Sequence, residues 1–367
     1  MIFLKAFFLR HKKLHIWLLA DCTLLAAFFA IRGHRSWMTR LNGAMFSLRK
    51  AIGSVCYRVD FSVAEALCVA LVIVTVVYLA WSVVAVVRAK GRRRSRAYSA
   101  VLGAVCVGVS IYMGICYLWG VTYYVDGFQQ KSGIYAQQVS ADDLYAVTQY
   151  FADQLNATAD TVARDENGRF DVPRAEILAE SVHVYDRAAE EFPFLAFHDQ
   201  PPKAIHLSRI MSLLDFTGVY CPFTGESNVN VNAPACLLPA TIAHELAHQR
   251  GIASEQECNF LAILSGTTCG STDYAYSGWL LGYIHLGNAL YSADQTHWSE
   301  VYGSLSETVR ADLDNNNAYW AQFRSSVVKK ASNSVYDKFL KGYGEADGLK
   351  SYGTVVDLLV TYYKNVS

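Results

Sequence analysis

Three apolar runs near the start of the chain, residues 14–31, 61–87 and 97–125, constrain it more than any other feature. The second carries one charge, Glu65, and the third none; both exceed the ~20 residues an α-helix needs to cross the hydrocarbon of a bilayer. Core helices of soluble domains do not run that long with so few charges. The first run is shorter, carries Asp21 and follows a basic start (Lys5, Arg10, Lys12, Lys13), as a signal peptide would. Arg32 stands where a small-residue cleavage site belongs, so this run reads as a retained span. Hydrophobic residues make up 53% of the 367 and mean hydropathy is +0.17, an excess that sits in these runs. The expected organisation is a membrane domain over 1–125 with three transmembrane helices, then a soluble domain over 126–367.

Basic residues in short loops orient such spans. Arg88, Lys90, Arg92, Arg93, Arg94 and Arg96 predict a cytoplasmic loop between the second and third runs, which leaves 126–367 outside the cell membrane. The first loop argues the other way with Arg35, Arg40, Arg49, Lys50 and Arg58. Its segment LNGAMFSLRKAIGSV reads as an amphipathic helix on the bilayer surface, and the denser cluster decides. Lys+Arg and Asp+Glu balance at 32 each, so no bulk charge points to nucleic acid. The nine cysteines form no CxxC pair, which gives no sign of a thiolate zinc site. Cys221 and Cys236 flank a hairpin and are either bridged or simply buried.

Beyond Asp126 the pattern is mainly α with a small β-sheet or hairpin, an α+β domain. Ser140 with Asp143 starts a helix whose Leu144, Val147, Phe151 and Leu155 share one face. Pro173 opens another helix, expected to run to Phe192, and further helices are expected over 279–290, 305–330 and around Val355, Leu358, Leu359 and Tyr362. The run GVYCPFTGESNVNVNA breaks this pattern: 222–225 has turn chemistry, and 226–232 alternates as a half-buried or edge strand does. Asn156-Ala-Thr158 fits a glycosylation sequon.

The chemistry lies in AHELAHQRGIASEQECNFLA, residues 243–262. His244 and His248 fall on one face of a helix and can reach one metal; Glu245, about 100° round, can touch a metal-bound water instead. Zinc lowers the pKa of bound water towards ~7, and Glu245 would take that proton and pass it to a leaving amine. Gly251 suits a left-handed helix end, after which the chain can double back. Ser254 and Glu257 then form an S-x-x-E helix start that occupies Glu257 with a backbone amide. Glu255 remains as the favoured third ligand over Glu257, with Asn259 on the same face to bond a ligand histidine.

HELAHQRG followed by E-x-E-x-N-F resembles a bacterial family of membrane proteins catalogued as a domain of unknown function (number 3810). The similarity runs upstream through GVYCPFTGESNVN and downstream to GLKSYGTVVDLL. More broadly the motif is similar to gluzincins, zinc peptidases whose third ligand is the glutamate of E-x-x-x-D or E-x-x-x-N, the positions of Glu255 and Asn259. The resemblance implies a zincin-like domain that hydrolyses peptide or protein substrates, which lie extended along an edge strand beside the metal helix. Glu226, Asn228, Asn230, Tyr220 and Tyr352 are the expected substrate contacts; Tyr220, Tyr274, His285 and Tyr352 are the candidates for stabilising an oxyanion. The competing expectations are a zinc-holding sensor or scaffold without turnover, and a zinc hydrolase acting on something other than peptides. An intact Glu245 favours the peptidase.

Overall fold

The computed structural model describes residues 9–324, 327–342 and 352–364. The chain divides into two compact units. The first comprises residues up to Cys56, Val63–Val125 and the short turn Pro222–Thr224; the second takes Tyr57–Ser62, Asp126–Cys221 and the chain from Gly225 on.

The first unit is built from α1 (Lys12–Ile31), α2 (Arg35–Cys56), α3 (Val63–Arg88) and α4 (Arg93–Leu118). Helices α1, α3 and α4 are long and apolar enough to cross a membrane. The third run does not stay α-helical to Val125: the helix stops at Leu118, and Gly120–Tyr124 tightens into a 3-10 turn. Exposed Val72, Ile73, Val74, Val76 and Val77 give α3 a surface suited to lipid rather than water. Asp21 survives in such a helix because it is buried against α4, where its carboxylate accepts from Ser110 Oγ at 2.5 Å. Helix α2 covers the segment expected on the bilayer surface, and its Arg49 is buried.

The second unit is mainly helical around a small sheet. Ser140 accepts from the Asp143 N–H and opens α6 (Ala141–Ala159), which follows the short α5 (Phe128–Ser132). The stretch after Pro173 is not one helix: α7 (Arg174–Glu180) and α8 (Asp186–Glu191) are separated by a 3-10 turn. The strands are β1 (Lys203–Ile205), β2 (Gly218–Cys221) and β3 (Glu226–Asn230), with α9 (Ser208–Leu213) between the first two. Their order is β1-β3-β2, with β1 parallel and β2 antiparallel to β3. The strand expected to be half-buried or at an edge, 226–232, is therefore the central one, and it is buried throughout Glu226–Asn230.

Five more helices are ranged before and after one another as α10 (Leu238–Gln249), α11 (Glu255–Thr268), α12 (Thr272–Ala293), α13 (Gln295–Ser304) and α14 (Glu307–Ala321), followed by α15 (Val327–Gly342) and α16 (Tyr352–Tyr363). The expected single helix over 305–330 is divided because Ser306 caps α14 and α15 starts afresh at Val327. Phe151, Leu155, Phe260, Leu261, Leu280 and Leu286 are fully buried at the centre of the unit. Helix α12 packs on α6 and α11, and α10 packs on β2, β3 and α11. Asn156 is committed within this packing, donating to the Ser304 carbonyl and accepting from the Ser306 N–H, which leaves its amide unsuited to carrying a glycan. Cys221 and Cys236 are both free thiols.

Candidate metal centre

Helix α10 has Pro239 in its first turn, where the missing N–H costs nothing. It ends before Gly251, whose φ of +80° is the left-handed conformation that glycine adopts without strain. The chain turns there, and α11 packs back on α10. Arg250 is buried and makes a bidentate pair with Asp199 at 2.5 and 2.6 Å. Its guanidinium also lies 3.7 Å over the Tyr185 ring, so this arginine braces the end of the histidine helix.

The imidazoles of His244 and His248 have centroids 4.9 Å apart. His244 Nδ1 is bonded to Asn259 Oδ1 at 2.8 Å, and His248 Nδ1 to the Ile252 carbonyl at 2.9 Å. Those oxygens only accept, so each ring gives its Nδ1 proton to them and turns its Nε2 to the other side. There Glu255 meets both: Oε2 is 3.2 Å from His244 Nε2 and Oε1 is 3.6 Å from His248 Nε2. Ligand atoms ~2.0–2.2 Å from a tetrahedral zinc are themselves about 3.3–3.6 Å apart. The spacing and the two-imidazole, one-carboxylate chemistry fit zinc. Cys258 is a second neighbour, and one donor atom each from His244, His248 and Cys258 lie within 4.8 Å of one another. Its sulfur is 3.3 Å from His248 Nδ1, the nitrogen already turned to Ile252, so the set facing Nε2 is the one with Glu255.

Glu257 points elsewhere. Its Oε2 accepts from the Phe128 N–H at 2.7 Å and its Oε1 from the Gln129 N–H at 3.0 Å. It caps α5, not its own helix: Ser254 is the N-cap of α11 but its side chain makes no capping bond. A side chain on Gly127 would collide with this carboxylate. The expected S-x-x-E box is thus replaced by a long-range cap.

Glu245 is buried, and its Oε2 makes no hydrogen bond to protein. Burial pushes its carboxyl up to about 8, with the charge of His244 opposing. Other buried glutamates are satisfied, Glu257 as above and Glu226 by Lys203 Nζ at 2.7 Å. Burial works against ionised Glu255 too, but the charge of His248 and the bonds from His244 and Tyr336 win and hold it below the usual carboxylate range.

The expected substrate contacts are mostly not presented to a ligand. Asn228 bonds to Ser62, and Asn230 donates to Ser212 and the Phe216 carbonyl; with Glu226 they are buried because β3 is central. Tyr220 lies half-buried on β2, the outer strand. Tyr274 is buried and donates to the Ile177 carbonyl. Tyr352 begins α16, and its side chain lies outside the described residues. His285 lines a cavity of about 990 Å³ together with Asp215, Thr217, Asn288 and Trp320. Burial, and then the charge of His244, pull its imidazole down to about 4.

Two residues of the site have no signature in the local sequence. Tyr336 of α15 donates to Glu255 Oε1 at 2.6 Å across 81 residues of chain. Gly218 of β2 lies against Glu245. An aromatic on an amphipathic helix and a glycine before a strand are each too common to have been found without the fold.

A mainly helical chain with a small sheet and three apolar helices of membrane-crossing length defines the class. Within it, the chain belongs to the family described as Protein of unknown function (DUF3810), whose profile matches residues 42–360. No curated protein and no solved structure matches it.

Proposed function

We propose that this protein is a membrane-anchored, zinc-dependent metallopeptidase with a zincin-like soluble domain on the outer face of the cell membrane. The observation that carries the reading is Glu245: a buried carboxyl with an oxygen left unpaired, one residue from a histidine whose Nε2 joins a two-histidine, one-carboxylate donor set. A zinc ion held only for stability, or a scaffold that binds without turnover, has no use for such a group.

His244, His248 and Glu255 would hold the zinc, with Asn259 and the Ile252 carbonyl fixing the two rings and Tyr336 fixing the carboxylate. Bound zinc supplies Lewis acidity towards a carbonyl and a water molecule. Glu245 takes the proton as water oxygen bonds to the peptide carbonyl carbon, and returns it to nitrogen as the C–N bond breaks. The outer strand β2 begins at Gly218, beside Glu245, and offers a main-chain edge along which an extended peptide can add. The cavity beside His285 has room for the side chains of such a peptide.

The test is metal analysis of the purified full chain together with a peptide-library cleavage assay of wild type and Glu245→Gln. About one zinc per chain in both, with cleavage lowered at least ~100-fold in the variant, is expected. A chain that binds no zinc, or a variant that cleaves like wild type, would sink the proposal. Zinc bound by both without cleavage by either favours the scaffold.

A further inference from the structure

We propose that a groove between α1, α3 and α4 binds one anionic phospholipid, with an acyl chain along the groove, the phosphate at Arg96 and an ester carbonyl on Ser82. The groove lies wholly within the first unit. Its role as a lipid site rests on reading these helices as membrane spans and is independent of the peptidase reading.

Helix α4 packs on both α1 and α3. Only a short loop joins α3 to α4, so the end of α3 and the start of α4 lie at one end of the unit. His11, just before α1, is bonded to Ser95 Oγ at 3.1 Å and to Ser99 Oγ at 2.9 Å, which brings the start of α1 to that same end. A cavity of about 290 Å³ opens between the three helices. Its α4 wall runs from Arg96 through Ser99, Ala100 and Gly103 to Val107, one face of a helix. At ~1.5 Å per residue that wall is about 16 Å long, half of a ~30 Å hydrocarbon core and so the depth that one acyl chain occupies. Trp17 and Trp81, both exposed, form its rim. Tyr78 narrows it, donating to the Ala100 carbonyl at 2.7 Å and filling the space beside Gly103.

The buried polar groups of this lining are spent inside the protein, with one exception. Trp17 Nε1 donates to Ser110 Oγ at 2.9 Å, Tyr78 is bonded to Ala100, and Ser99 to His11. Ser82 is only 8% exposed, and its Oγ has no partner. A hydroxyl within a helix commonly satisfies itself on the carbonyl four residues back, as Thr75 of the same helix does on Leu71. Ser82 does not, and its hydroxyl stands in the groove wall as a donor without an acceptor. Leaving it so in hydrocarbon is costly. Ser82 lies in the last two turns of α3, near the depth at which a bilayer offers ester carbonyls.

The charge at that end selects the headgroup. Among the described lining residues Arg96 alone is charged. Lys12, Lys13, Arg92, Arg93 and Arg94 stand at the same end and are exposed. The carboxylates of the unit are elsewhere: Asp21 accepts from Ser110, and Glu65 is in the first turn of α3, at its far end. A basic mouth over an apolar groove between spans suits an anionic lipid headgroup. It offers nothing to a second apolar helix, whereas phosphate accepts from a guanidinium in bidentate fashion.

The test is native mass spectrometry of the full chain, delipidated in detergent and titrated with phosphatidylglycerol or phosphatidylcholine of identical acyl chains. One phosphatidylglycerol per chain is expected, bound at least ~5-fold more tightly than phosphatidylcholine, the contribution of about one arginine near the phosphate. Arg96→Gln should bring phosphatidylglycerol down to the phosphatidylcholine level. Ser82→Ala should weaken both lipids alike, because both carry the ester carbonyl. Ala85→Phe puts a ring into the groove and should remove the retained lipid. Arg96 is exposed and Ser82→Ala deletes a single oxygen, so these two variants decide the matter even where Ala85→Phe fails to fold. Equal affinity of the wild type for the two lipids, or unchanged phosphatidylglycerol affinity in either Arg96→Gln or Ser82→Ala, overturns the proposal. So does a wild-type dimer without retained lipid that Ala85→Phe turns into a monomer, since the groove then holds a helix of a second copy.

Discussion

Glu245 occupies the space that any side chain at Gly218 would need: a Cβ there would stand 2.4 Å from its Oε1 and 2.7 Å from its Cγ. The first residue of the outer strand therefore sets how near the strand can approach the carboxylate, and the carboxylate cannot swing towards the strand. In Gly218→Ala one of the two must shift. Zinc content is expected to hold, since Gly218 touches no ligand, while kcat falls between about 10- and 100-fold, the range a misplacement of roughly 1 Å produces. A kcat equal to wild type would show that Glu245 is not placed by this contact.

Glu255 and Glu257 lie two residues apart on α11 and do different work. Glu255→Gln keeps size but weakens a ligand and the charge that holds His244, so zinc affinity measured by competition with a chelator should fall at least ~10-fold. Glu257→Gln should leave zinc affinity alone and lower stability by about 1–3 kcal/mol, because two backbone N–H groups lose a charged acceptor. The opposite order would assign the third ligand to Glu257.

That contrast marks what the sequence could and could not disclose. Local pattern sufficed for the apolar spans, for the helix after Ser140 and for the turn at Gly251, because each is decided by neighbours within a few residues. It put Glu257 in a box with Ser254, since spacing alone cannot show that the amides of Phe128 and Gln129 lie closer. It read 226–232 as half-buried or at a sheet edge because β1 is only three residues long and has no alternation to read; the pairing of Lys203 with Asn228 that makes β3 central is long-range. Tyr336 reaches Glu255 for the same reason, through tertiary packing with no spacing to announce it.

Arg250 and Asp199 form a buried pair whose worth is positional. Asp199→Asn leaves the guanidinium buried without its counter-charge, and loss of about 3–5 kcal/mol in denaturant unfolding is expected, the usual cost of breaking such a pair from one side. Because Arg250 closes the histidine helix, zinc affinity should weaken together with stability. A fully stable Asp199→Asn would mean the pair contributes nothing to the end of α10.

Orientation in the membrane turns on how the two basic clusters are used. In the first loop, Arg49 is not a solvated charge: it is buried, donates to the Leu118 carbonyl, and lies over the Phe46 and Trp119 rings at 5.6 and 5.4 Å. Arg92, Arg93 and Arg94 are exposed, so their charges remain available to orient their loop as the proposed topology requires. The segment Tyr57–Ser62 folds with the second unit, so the proposed function requires the first loop and the site to share one side of the bilayer. A cysteine placed at Arg93 should therefore resist a membrane-impermeant maleimide in intact cells and react after permeabilisation. One placed at Lys131, which is exposed on α5, should react in both conditions. Native thiols are accounted for by the unsubstituted chain labelled in parallel. If Arg93 labels in intact cells and Lys131 does not, the histidines lie in the cytoplasm, and the outer-face part of the proposed function is wrong.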